Sequence, residues 1–96
     1  MEKMEFDEFK KLVKSLGVVY SIQDNIPYTI CYVDDNKLEI KRESTGNIVK
    51  IKMGELYYFY QKENNYNTRI AKGYISGRVQ SPAVAILRVL TENQKS

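Results

Sequence analysis

Three short runs in the middle of the chain, residues 28–33, 37–42 and 48–52, are separated by Asp34-Asp35-Asn36 and by Glu43-Ser44-Thr45-Gly46-Asn47. The runs are rich in β-branched and aromatic residues, and the last two alternate apolar with charged positions. Asp, Asn and Gly accept left-handed φ and bond their own backbone, so the intervening residues are turns. Connections this short join antiparallel neighbours. A fourth run, residues 18–23, is broken by Asp24-Asn25, and Pro27 delays the strand that follows. The expectation is a four-stranded antiparallel β-meander with strands at 18–23, 28–33, 37–42 and 48–52. Its outward positions, Lys50, Lys52, Glu39 and Lys41, belong to a solvated face.

The period lengthens to about 3.6 on either side of this meander. Phe6, Phe9, Val13 and Leu16 form a stripe that predicts a helix over 4–16, with Gly17 at its left-handed cap and acids before lysines, as the helix dipole favours. Met53, Leu56, Phe59 and Tyr60 form a second stripe over 53–63. A short helix over 68–75, capped by Thr68, is weakened by Gly73. Ser81-Pro82 is an N-cap followed by proline at the first helical position, and it opens a last helix over 82–91. The fold expected is α+β: an N-terminal helix, the four-stranded meander, then two or three C-terminal helices packed on one sheet face. With 96 residues, the chain reads as a single domain over 1–96.

The composition excludes several chemistries. There is no histidine and one cysteine, Cys31, so Ser-His and Cys-His pairs, thiolate metal clusters and internal disulfides are ruled out. No glycine-rich phosphate loop occurs. Cys31 sits inside a strand run and reads as a small buried apolar residue. Asp34-Asp35-Asn36 lacks the glycine and distal glutamate of a calcium loop. No cofactor and no metal site are expected, and the chain reads as a non-enzyme. The mixed-charge start and the absence of a long apolar run predict no export signal and no membrane contact. A lone cysteine fits a reducing cytoplasm, and the abundance of Lys, Asn and Ile fits a bacterial or phage genome.

The charge distribution points toward a partner. Residues 1–48 carry seven basic and nine acidic side chains, whereas residues 49–96 carry eight and three. No acid falls between Asn64 and Thr91, a stretch holding Arg69, Lys72, Arg78 and Arg88. Tyrosines gather in and just before it, and aromatic faces beside arginines suit both single-stranded nucleic acid and protein hot spots. The expected binding surface comprises Tyr57, Tyr58, Lys62, Tyr66, Arg69, Lys72, Tyr74 and Arg78. Ser76, Arg78 and Ser81 flank the start of the last helix, where free N–H groups can receive an anion. That helix is apolar on nearly every side, so it reads as core and not as a helix that reads base edges.

The leading expectation is a small non-catalytic module that binds nucleic acid or a nucleic-acid-handling protein through residues 57–81. The alternative is a protein–protein regulator or inhibitor, encoded by a phage or mobile element and homodimeric through the apolar last helix or a sheet edge. A remote alternative is a metal-dependent nuclease that gathers Asp24, Asp34, Asp35, Glu39 and Glu43.

Overall fold

The computed structural model describes residues 3–21 and 25–95. The elements run α1 (Phe6–Leu16), β1 (Val18–Tyr20), β2 (Pro27–Val33), β3 (Lys37–Arg42), β4 (Asn47–Lys52), α2 (Met53–Lys62), α3 (Thr68–Ala71) and α4 (Gln80–Lys95). The four strands form one antiparallel sheet in the order β1-β2-β3-β4, so each strand pairs with its sequence neighbour. This is the α+β meander that the alternation and turn chemistry predict.

Turn chemistry sets the hairpin registers. Asp34 Oδ1 accepts the backbone N–H groups of Asn36 and Lys37, both at 2.8 Å. These bonds hold the Asp34 carboxyl below its usual range and seat Val33 opposite Leu38. In the β3–β4 turn, Gly46 takes φ +75°, and its N–H donates to the Arg42 carbonyl at 2.7 Å. A side chain is strained in that conformation, so glycine belongs there.

The register separates two faces. Val19, Tyr28, Leu38, Ile40 and Ile51 point inward and are buried against α1, α2 and α4. From the helices they meet Phe9, Val13, Met53, Leu56, Phe59, Tyr60 and the unbroken buried run Pro82 to Leu87. The last helix is therefore core, as its composition implies.

Several boundaries differ from expectation for physical reasons. β1 stops at Tyr20, where Ser21 turns the chain: its N–H donates to Ile26 O at 2.9 Å, and its Oγ accepts Ile26 N–H at 2.9 Å. Residues 22–24, including the expected end of that strand at Gln23 and the carboxylate of Asp24, lie outside the described residues. α4 begins at Gln80, ahead of the expected 82. Val79 is buried, and its carbonyl takes the first helical bond, from Ala83 N–H at 3.2 Å. Pro82 then falls in the first turn, where N–H groups have no partner within the helix and none is lost. α3 is one turn only. Its cap is Asn67, whose Oδ1 accepts Ile70 N–H at 2.9 Å, and tight bonds to Ile70 O and Ala71 O close the chain after it. A single turn ahead of a buried α4 is not a helix-turn-helix reader.

Cys31 is exposed, contrary to expectation. The β2–β3 pairing shifts register between Ile30 and Tyr32. Cys31 is the extra residue of that bulge, left unpaired on the solvent side.

Candidate nucleic-acid interface

α2 sorts its tyrosines by direction. Leu56, Phe59 and Tyr60 enter the core, while Tyr57 leans toward α1. Its ring lies 5.1 Å from those of Phe6 and Phe9, and its hydroxyl donates to Met4 O at 2.9 Å. Both the face and the hydroxyl of Tyr57 are therefore engaged inside the domain. Tyr58, next in the chain, is 52% exposed.

Tyr66 is buried, contrary to the expected surface role. Its hydroxyl lies 2.8 Å from Glu63 O and 3.0 Å from Tyr60 O, and it accepts from Lys3 Nζ at 3.0 Å. Arg88 Nε donates to Tyr66 O at 2.6 Å. Burial, with Tyr60 and Glu63 nearby, pushes the Tyr66 phenol up to about 12. Folding thus favours the neutral phenol, whose ordinary value is about 10. This stabilisation is complete below pH ~10 and is lost as pH rises toward 12. Tyr66→Phe therefore flattens the fall in stability between pH ~9.5 and ~11.5, measured by urea denaturation at each pH. An unchanged slope would place the hydroxyl in water.

Tyr74 stacks on Phe59 with centroids 5.0 Å apart and an interplanar angle of 18°, and its hydroxyl donates to Glu63 Oε2 at 2.6 Å. Tyr58 tilts against the outer side of Tyr74 at 5.7 Å, and Lys62 Nζ lies 5.4 Å above the Tyr58 ring. Tyr66, Phe59, Tyr74 and Tyr58 thus form a row of rings from the core to solvent. Only its outer end, Tyr58 with Lys62, offers a face to a partner. Arg69, Lys72 and Arg78 are exposed.

The expected anion trio does not converge. Ser76 directs both its N–H, at 3.0 Å, and its Oγ, at 2.9 Å, to Glu55 Oε1, so a carboxylate of the chain already fills that place. The Ser81 hydroxyl lies 3.4 Å from that of Tyr28. Gln80 Nε2 closes the loop by donating to Ile75 O at 2.8 Å and Gly77 O at 2.6 Å. Ser76 and Arg78 are both exposed, and of the three Arg78 alone has no partner among the described residues.

The acids considered for a nuclease site are each engaged separately. Glu39 pairs with Lys37 at 3.1 Å and Glu43 with Lys41 at 3.7 Å, along β3 and not across strands. Asp35 bonds Lys10, and Asp34 holds its turn. Among the described residues no three of Cys, Asp and Glu gather to hold a metal ion, and no helix is long and apolar enough to cross a membrane. A cleft of about 510 Å³ lies between α1 and the β2–β3 turn. Its Lys10, Lys11 and Lys14 face Asp7, Asp34 and Asp35, so its charge is balanced.

Sequence reasoning placed Glu39, Lys41, Lys50 and Lys52 on the open face of the sheet but passed over its apolar residues. Of the exposed large apolar residues, Val18, Tyr20, Tyr32 and Ile48 stand there. Lys37, Lys41, Lys50 and Lys52 share the face, whereas Arg42 turns inward over the Tyr28 ring at 5.6 Å. Alternation alone hid Tyr32, because Tyr28 and Ile30 face inward and period two puts Tyr32 with them; the bulge at Cys31 turns it to the solvent side beside Glu39.

Fold and surface define a small α+β domain in which a meander sheet is covered by helices on one face and open on the other. Comparison with known protein families, with curated proteins and with solved structures finds no match to the chain.

Proposed function

We propose that this chain is a non-catalytic binding module whose partner is nucleic acid, contacted through Tyr58, Lys62, Arg69, Lys72 and Arg78. One observation carries the reading. Among the described residues, Lys62, Arg69, Lys72 and Arg78 are exposed and lie within ion-pair distance of no acid, whereas in the first half Lys10, Lys37 and Lys41 are each paired and the exposed, unpaired Lys11 and Lys14 share a cleft with Asp7, Asp34 and Asp35. The acids on and just after α2 are occupied: Glu55 receives Ser76, and Glu63 receives Tyr74. Lys62 beside the exposed Tyr58 ring, with three more unneutralised cations on the segment that follows, suits a phosphate backbone, with Tyr58 stacking where a base is accessible.

Binding of this kind is sensitive to salt. Four phosphate contacts give a slope of log K against log salt of about −3 to −4. Fluorescence anisotropy with a labelled mixed-sequence 20-mer, as single strand and as duplex, measures it between ~20 and ~200 mM salt. Arg69→Ala with Lys72→Ala should reduce the magnitude of the slope by about 1.5 to 2 and weaken binding to all sequences alike. No binding to any nucleic acid at the lowest salt would overturn the proposal.

A further inference from the structure

We infer that the open face of the sheet is a stacking platform for the bases of a single-stranded nucleic acid, an inference that rests on the nucleic-acid reading above. The face is divided by strand. β1 and β2 carry its aromatic side chains, Tyr20 and Tyr32, which are 53% and 48% exposed. β3 and β4 carry its cations, with Lys41 opposite Thr29 and Lys50 opposite Glu39. Lys37 and Lys41 are paired with Glu39 and Glu43. Lys50 and Lys52 have no acid within ion-pair distance among the described residues. Bases over β1–β2 and phosphates along β4 is the arrangement this division fits.

The dimensions agree. Tyr20 pairs with Pro27, and Tyr32 lies five residues further along β2, about 16 Å at the rise of a strand. That length covers a few nucleotides. Tyr32 and Lys50 flank Glu39 and are two strand spacings apart, about 10 Å, a gap that a lysine stem and the base-to-phosphate length of a nucleotide together bridge.

Tyr32 is oriented before any ligand arrives, with Lys37 Nζ lying over its ring at 5.7 Å, a lysine that a stacking base displaces toward its own phosphate. Its hydroxyl donates to Asp34 Oδ2 at 2.9 Å, and Asp34 is itself fixed by two backbone N–H groups. The ring therefore loses little freedom on binding. Charge argues against a second copy on this face, because four lysines against two glutamates repel their own image. Duplex nucleic acid offers no unstacked base to a flat sheet.

Cys31 supplies the test without any change to the chain, because its thiol is exposed at the bulge beside Tyr32. The rate of its alkylation by iodoacetamide is measured with a saturating mixed-sequence single strand and, separately, with the duplex. The single strand should slow alkylation about tenfold and the duplex should leave it unchanged. Tyr20→Ala and Tyr32→Ala should each weaken single-strand binding about tenfold, with duplex binding retained and far-ultraviolet circular dichroism unaltered. Single-strand binding that leaves Cys31 unprotected would overturn this inference while the nucleic-acid reading stands. No binding at low salt would overturn both. Protection that rises with protein concentration in the absence of oligonucleotide, with a dimer mass by light scattering, would overturn it in favour of self-association.

Discussion

Phe59→Ala should destabilise the domain by about 3–5 kcal/mol, the largest effect of any single truncation on α2. Phe59 is fully buried, with Tyr66 edge-on at 5.3 Å and Tyr74 stacked at 5.0 Å. Its loss removes both ring contacts and leaves a cavity that the anchored Tyr66 cannot fill. Tyr66 is held by Lys3, by Arg88 on its carbonyl, and by the carbonyls of Tyr60 and Glu63. A chain of this size has a total stability of about 5–14 kcal/mol, so the loss is between about a fifth and all of it. The melting temperature should fall by roughly 15–30 °C, read by circular dichroism. A drop of less than about 5 °C would mean that the neighbouring rings collapse into the gap. Tyr58 should also lose its fixed position, because its ring neighbour Tyr74 rests on Phe59.

Ile86→Lys should unfold the protein outright. Ile86 is fully buried in α4 within the buried run from Pro82 to Leu87. An ammonium there has no carboxylate partner, and burying an unpaired charge costs several kcal/mol beyond the lost apolar packing. The sum equals or exceeds the stability of the domain. The measurement separates two roles of the helix. A helix lying in a DNA groove would bind more tightly with an added lysine, whereas a core helix loses its far-ultraviolet signal. A folded Ile86→Lys protein with increased DNA affinity would reverse the assignment of α4.

What could be read in the sequence was local. The strands from Tyr28 onward were legible because side-chain period and turn chemistry act within a few residues. Asp34 and Gly46 set the two hairpins through bonds to residues at most four positions away. The stripe of α2 was legible for the same reason. Tyr66 was not, because its burial depends on Lys3 and Arg88, 63 and 22 positions distant. Ser76 read as an anion donor until Glu55, 21 positions earlier, was found in its place. Cys31 reads as buried from its residue type, although alternation from the inward Tyr28 and Ile30 already puts it outward, and it is Tyr32 whose face the inserted residue reverses. Part of the candidate surface survives as exposed cations, and the tyrosines expected beside them are divided between core and rim.

The neighbour-to-neighbour strand order has an entropic consequence. Each hairpin closes over a handful of residues, as from Arg42 to Asn47, so the chain gives up little freedom to form the sheet. The contact of α1 with α4 joins segments separated by the whole chain from Leu16 to Gln80. Closing roughly 60 residues instead of about four raises the closure entropy by about 2.4 kcal/mol. The most expensive loop in the molecule is thus the one that seals its core. The apolar run of α4, which has no role at the surface, is what offsets that closure.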